Sequence, residues 1–141
     1  MTKIRNIFNN GQRFGAKTGV VKVNSFNVCP DTVLAAATAV TLTRAQMNQY
    51  DYFTITSGGA TNEFDLPDAA EIGEVLTLYA AAAYELRTET DGNDINNDPD
   101  VGYAVSLGET IRAYKVNTTD WLVTSLSSAG AAVTVNATIA P

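Results

Sequence analysis

Tyr84-Glu85-Leu86-Arg87-Thr88-Glu89 is the stretch on which the fold turns. Tyr84 and Leu86 alternate with Glu85 and Arg87, and a period of two marks a β-strand with one dry face and one wet face. The same reading extends to both sides. Upstream, residues 50–56 (YDYFTIT) are aromatic and β-branched, which favours a strand, and Ser57-Gly58-Gly59 ends it. Residues 62–67 (NEFDLP) read as a short edge-like strand closed by Pro67, and Gly73 launches another over Glu74 to Tyr79. Val20 to Val23 and Val40 to Leu42 are shorter strand candidates. Downstream, Tyr103 to Leu107, Thr110 to Val116 and Trp121 to Leu126 read as strands, and Val133 to Ile139 alternates once more.

Helical signals are brief. Asp31 to Ala39 reads as a helical turn capped by Asp31, and Thr43-Arg44-Ala45-Gln46 has the spacing of a capping box. Asp68-Ala69-Ala70-Glu71 has that spacing too. About eight short strands with turn signals every eight to twelve residues predict an all-β body. The expected architecture is a β-sandwich, jelly-roll-like, with short helical turns. No segment repeats at a solenoid period.

The charge is divided unevenly. Residues 1–30 hold Lys3, Arg5, Arg13, Lys17 and Lys22 and no acid, whereas residues 31–141 hold four bases against all 15 acids. The chain is expected to divide at that point, into a basic extended N-terminal arm (1–30) and a β-sandwich body (31–141). Within the arm Gly11, Gly15 and Gly19 interrupt any regular period, and Ile4, Ile7, Phe8 and Phe14 are scattered among the bases. Such a segment buries too little alone to offset its ordering entropy, so its apolar residues call for a partner surface. Nucleic acid is a poor fit, because the acidic body repels the same polyanion that the arm attracts. An anionic protein surface fits better.

Hydrophobic residues make up 45% of the 141 positions against 17% charged, the balance of a globular chain. The longest mostly apolar run, Val33 to Val40, falls short of the ~20 residues of a membrane span. The first residues carry charge but no apolar core of a signal peptide, so a soluble protein made in a cytoplasm is expected. There is no histidine. The commonest general base and the commonest zinc ligand are therefore missing, which lowers the standing of hydrolase and metalloenzyme readings. Cys29 is the single cysteine, next to Pro30, and reads as a buried, inert thiol.

Asp91, Asp94, Asp98 and Asp100 offer oxygen ligands of the kind calcium takes, although the spacing is not that of an EF-hand loop. Asp and Asn are also the residues that turns prefer, so the loop reads as a solvated turn, with no metal, catalytic or cofactor site expected. Glu63 with Asp65, and Glu85 with Glu89, each share a strand face as a glycosidase pair must, but so do many exposed strand residues. Tyr50, Tyr52, Phe53, Tyr79, Tyr84, Tyr103, Tyr114 and Trp121 suit a core, a subunit interface or a carbohydrate-binding face.

An ordered series runs through the middle of the chain: Phe64-Asp65-Leu66-Pro67, Gly73 before an apolar strand, Asp94-Ile95-Asn96, Leu107-Gly108-Glu109-Thr110 and Trp121-Leu122-Val123. It resembles a small β module of tailed-bacteriophage virion proteins, over about residues 40–126. The resemblance implies a non-enzymatic virion structural role, most like a capsid decoration (cement) protein on the outer surface of the shell. It further implies a homotrimer that binds the major capsid protein, with neither membrane nor nucleic acid as partner. The expected contact residues are Lys3, Arg5, Ile7, Phe8, Arg13, Phe14 and Lys17 of the arm. A phage tail, baseplate or receptor-binding component is the first alternative, and a glycan-binding or glycan-active β protein the second.

Overall fold

The computed structural model describes residues 28–34, 38–90, 93–98 and 102–135. The described strands are β1 (Val28–Leu34), β2 (Val40–Thr41), β3 (Tyr52–Ser57), β4 (Glu63–Leu66), β5 (Val75–Ala80), β6 (Tyr84–Thr88), β7 (Tyr103–Val105), β8 (Thr110–Lys115), β9 (Trp121–Leu126) and β10 (Ala132–Val133). A single short helix among the described residues, α1 (Arg44–Gln49), lies between β2 and β3. None of the described helical segments is long and apolar enough to cross a membrane. The all-β expectation holds.

The strands form two mixed sheets, one ordered β1-β3-β5-β8-β9-β10 and the other β2-β4-β6-β7. From β1 to β6 the chain alternates between them, so β1/β2, β3/β4 and β5/β6 are three successive rungs. Each rung lies parallel on the next, with Val28 opposite Tyr52, Phe53 opposite Leu78, Val40 opposite Phe64 and Phe64 opposite Leu86. The partners are thus about two dozen residues apart, a spacing that long crossovers of parallel strands require. After β6 the chain turns back: β7 lies antiparallel on β6, β8 on β5, β9 on β8 and β10 on β9. Jelly rolls are antiparallel throughout. Their connectivity is therefore replaced here by parallel rungs that antiparallel strands complete.

Alternation sets what goes inside. Phe53, Ile55, Leu76, Leu78, Ile111, Ala113, Trp121 and Val123 of the larger sheet join Phe64, Leu66, Tyr84, Leu86, Tyr103 and Val105 of the smaller one in a single buried cluster. Each large apolar side chain buried there contributes about 1.5–3 kcal/mol relative to leaving it in water.

The first capping box is present. Thr43 Oγ1 accepts from the Gln46 N–H at 3.3 Å and Gln46 Oε1 accepts from the Thr43 N–H at 2.9 Å, while Met47 turns into the core. Arg44 then grips both oxygens of Glu74, at 2.8 and 3.0 Å, and ties α1 to the start of β5. Burial pushes the Glu74 carboxyl up, but Arg44 and the Glu71 N–H outweigh it and hold the group below the usual carboxylate range.

Two helical expectations fail. Asp31 and Leu34 lie in strand β1, because pairing with β3 from Val28 to Leu34 overrides the local cap signal. That strand also takes in Val28 to Pro30 from the segment read as arm. Around Asp68 the chain makes a turn, with the Ala70 N–H bonded to the Pro67 carbonyl at 3.1 Å. The Asp68 carboxylate accepts from Thr90 and Asn93 of the following loop and caps no helix. The strand candidate at Val20 to Val23, and the greater part of the one from Val133 to Ile139, lie outside the described residues.

Candidate functional site

The seven arm residues singled out from the sequence, Lys3, Arg5, Ile7, Phe8, Arg13, Phe14 and Lys17, lie outside the described residues. Among the described residues, the surface that stands out is the outward face of the six-stranded sheet. Strand parity builds it: the residues that alternate with the buried ones on β3, β5, β8 and β9 all point away from the core. Three rows cross these strands. Val75, Tyr114 and Leu122 form one, Thr77, Arg112 and Thr124 the second, and Thr54, Tyr79, Thr110 and Leu126 the third.

The chemistry of this face is unusual for so acidic a chain. Arg112 is the one charged residue among those rows. Its guanidinium carbon stands 5.4 Å from the Tyr114 ring centre, a cation–π geometry that satisfies it locally. Tyr52 and Tyr79 stack at 6.5 Å with their planes 22° apart. Burial pushes the Tyr52 phenol up, partly offset by its hydrogen bond with Thr110. Val75, Leu122 and Leu126 are 39%, 49% and 45% exposed, which leaves aliphatic surface in water on the outward face of this sheet.

The smaller sheet shows the opposite chemistry. Glu63, Asp65, Glu85 and Arg87 project from β4 and β6, with Glu63 directly opposite Glu85 and Asp65 opposite Arg87. Arg87 bridges the glutamates, at 3.4 Å to Glu63 and 2.9 Å to Glu85. Glu85 and Glu89, paired on paper, are drawn apart: Glu89 accepts from the Asp68 N–H at 2.7 Å beyond the end of β6. The carboxylates of this face are thus organised around a guanidinium.

The acidic loop is a structural clamp where it is described; Asp91 and Asp100 lie outside. Asn96 and Asn97 take left-handed backbone angles, φ 57 and 64. The Asn96 amide then mimics a strand, donating to the Val123 carbonyl at 3.0 Å and accepting from its N–H at 2.7 Å. The Trp121 N–H donates to the Asp94 carbonyl at 2.8 Å. No three potential metal-binding side chains stand together among the described residues. Cys29 is buried, and burial pushes its thiol up while a hydrogen bond with Thr32 opposes that.

Sequence reasoning missed two buried polar groups. Glu109 accepts from Tyr103 Oη and Ser125 Oγ, each at 2.7 Å, and from the Ser106 N–H at 3.2 Å, so one carboxylate joins β7 of the smaller sheet to β9 of the larger. Lys115 is only 2% exposed, and its Nζ lies 4.9 Å from the Trp121 ring centre without a hydrogen-bond partner among the described residues. Parity was the available signal for Lys115, since it continues the inward series Ile111 and Ala113.

The Glu109 site makes a pH prediction. Burial, reinforced by Glu109, pushes the Tyr103 phenol up to about 12. Ionisation is easier in the unfolded chain, near pH 10, so this contribution is complete below about pH 10 and fades as pH rises toward 12. Denaturant unfolding should lose on the order of 2–3 kcal/mol across that window. Tyr103→Phe should flatten the slope. Tyr84, pushed up by burial and by Glu109, keeps part of it. An equal slope in wild type and Tyr103→Phe would show that the phenol titrates freely.

No protein-family model matches the chain, and no curated protein shows significant sequence similarity to it.

Proposed function

We propose that the chain is a non-enzymatic virion structural protein, a capsid decoration protein whose arm binds the major capsid shell and whose body assembles at the particle surface. The observation that carries an assembly role is the outward face of the six-stranded sheet, with three exposed aliphatic side chains and one charge on a chain of net −6. Surfaces of that kind are covered in their working state. The acidic outer face of the smaller sheet suits a solvent-facing role, where like charge keeps particles apart.

The residues that carry the virion resemblance lie in the core and the turns of the body. Phe64 and Leu66 are buried in β4, Gly73 turns at φ 90 into β5, and Asn96 clamps Val123 of β9. Gly108 turns at φ 84 into the segment holding Glu109, and a Cβ on it would come within 2.8 Å of the Ser128 Cβ. The series is a scaffold for the body, which leaves contact work to the faces and the arm. Deleting residues 1–18 should abolish binding to the parent capsid and leave the strand signature of the body unchanged in circular dichroism. Full decoration by the truncated chain would remove the arm from the account.

A second reading, a receptor-binding component that meets glycans, is favoured by the Tyr52–Tyr79 stack. Copy number separates the two: hundreds on a shell, against a few or dozens on a tail.

A further inference from the structure

We infer that the outward face of the six-stranded sheet is the surface by which copies of this chain pack on one another. This rests on the reading of that face as a covered assembly surface, and it separates two jobs: the arm grips the shell, the sheet face holds the copies together.

Charge decides the occupant. The bodies, with four bases against 15 acids each, oppose like charges over most of their surface, and the smaller sheet, with Glu63, Asp65 and Glu85 around one arginine, is an example. The larger sheet carries no acid in its three rows, and its Arg112 is already engaged by Tyr114. Two such faces meet without repulsion. An anionic partner would find only that one cation to attract it, and a strongly cationic one would be drawn to the smaller sheet.

Size agrees. β3, β5, β8 and β9 have six residues each. At strand spacings of about 4.8 Å and rises of about 3.3 Å per residue they present a face of roughly 19 by 20 Å. That is on the order of 400 Å² in projection and more in accessible area, so two copies together approach the ~1,200 Å² at which specific interfaces begin. The exposed aliphatics Leu122 and Leu126 lie on β9, toward the β10 side of the face, and Val75 lies on β5 across β8 from them. A face that meets its own copy makes an isologous contact, and that closes a two-fold pair.

The test is sedimentation velocity of the full chain and of Leu122→Glu, Leu126→Glu and Thr124→Arg. Wild type should run as a closed oligomer at tens of micromolar. Each glutamate variant should weaken association at least about 100-fold, since it buries an unpaired charge in the contact. Thr124→Arg, exposed in the same row as Arg112, adds a second cation to a face that meets its own copy, so repulsion between copies gives the same answer and decides the matter if a leucine variant does not fold. Ala104→Lys, exposed on the outward face of β7 in the smaller sheet, should leave the oligomer unchanged. A monomeric wild type overturns the inference, as does an oligomer indifferent to all three face variants. A monomer that binds insoluble polysaccharide through Tyr52 and Tyr79 overturns it in favour of a glycan platform. Capsid binding is read separately: a monomeric variant that still decorates leaves the arm's role intact, and an arm deletion that stays oligomeric but fails to decorate leaves the self-contact intact.

Discussion

Glu109→Ala should lose about 3–5 kcal/mol of stability, measured as a shift of the urea midpoint followed by the fluorescence of Trp121. The carboxylate is the shared acceptor for three donors: the Tyr103 and Ser125 hydroxyls and the Ser106 N–H. Both hydroxyl partners are nearly excluded from solvent. Removing the acceptor leaves these donors facing a small void, and each buried donor left unmade costs about 1–3 kcal/mol. Glu109→Gln keeps an oxygen for part of the set and should lose only about 1–2 kcal/mol. The difference between the two variants measures the acceptor apart from the volume. The loss should also be shared by the sheets, because the bonds run from β7 in one to β9 in the other. An alanine variant within about 1 kcal/mol of wild type would mean that the three donors have other acceptors.

That network marks where sequence reading ends. The strands were legible because each inward residue alternates with a wet one: Tyr84 and Leu86 against Glu85 and Arg87, Trp121 and Val123 against Leu122 and Thr124. The first capping box was legible because Thr43 and Gln46 are both present and both used. Pairing was not. Phe64 and Leu86, or Phe53 and Leu78, share a rung position without sharing a residue type, so the stacked rungs leave no repeat in the sequence. Local signals failed where a distant partner outbid them, as β3 does for Asp31 in β1 and Asn93 does for Asp68.

The candidate surface was half visible. Eight aromatic residues form one list on paper, but parity sends Phe53, Tyr84 and Trp121 inward and Tyr52, Tyr79 and Tyr114 outward. Only the second set lies on the face. Charge division was plain in the sequence, yet the nearly uncharged rows of the larger sheet emerge only when four strands are laid side by side. Glu109 belongs to the series Leu107-Gly108-Glu109-Thr110 between two strands, and nothing local announces that its carboxylate faces three donors.

Lys115→Met should stabilise the body by about 1–3 kcal/mol, an unusual sign for a substitution inside a core. The amine is buried at the end of β8 with no hydrogen-bond partner among the described residues. Burial pulls it below its ordinary range, and the charges of Asp68 and Asp120 recover only part of that. The effective penalty for taking an ammonium out of water is several kcal/mol. Against it stands the Trp121 ring, 4.9 Å away, and a desolvated cation–π contact contributes about 2 kcal/mol. The penalty exceeds the contact, so an apolar side chain of similar length should pack against Trp121 at lower cost. The pH dependence gives a sharper check. An amine whose folded value is depressed destabilises the fold while it stays protonated in the unfolded chain, and that burden disappears as pH rises through its ordinary range near 10.4. The advantage of methionine should therefore be full while the folded amine is still protonated, shrink as pH rises from its depressed value toward 10.4, and be gone above that. A methionine variant less stable than wild type at pH 7, with the deficit persisting at pH 11, would mean that Lys115 has a buried partner, such as an ordered water held between its Nζ and the Asp68 carboxylate.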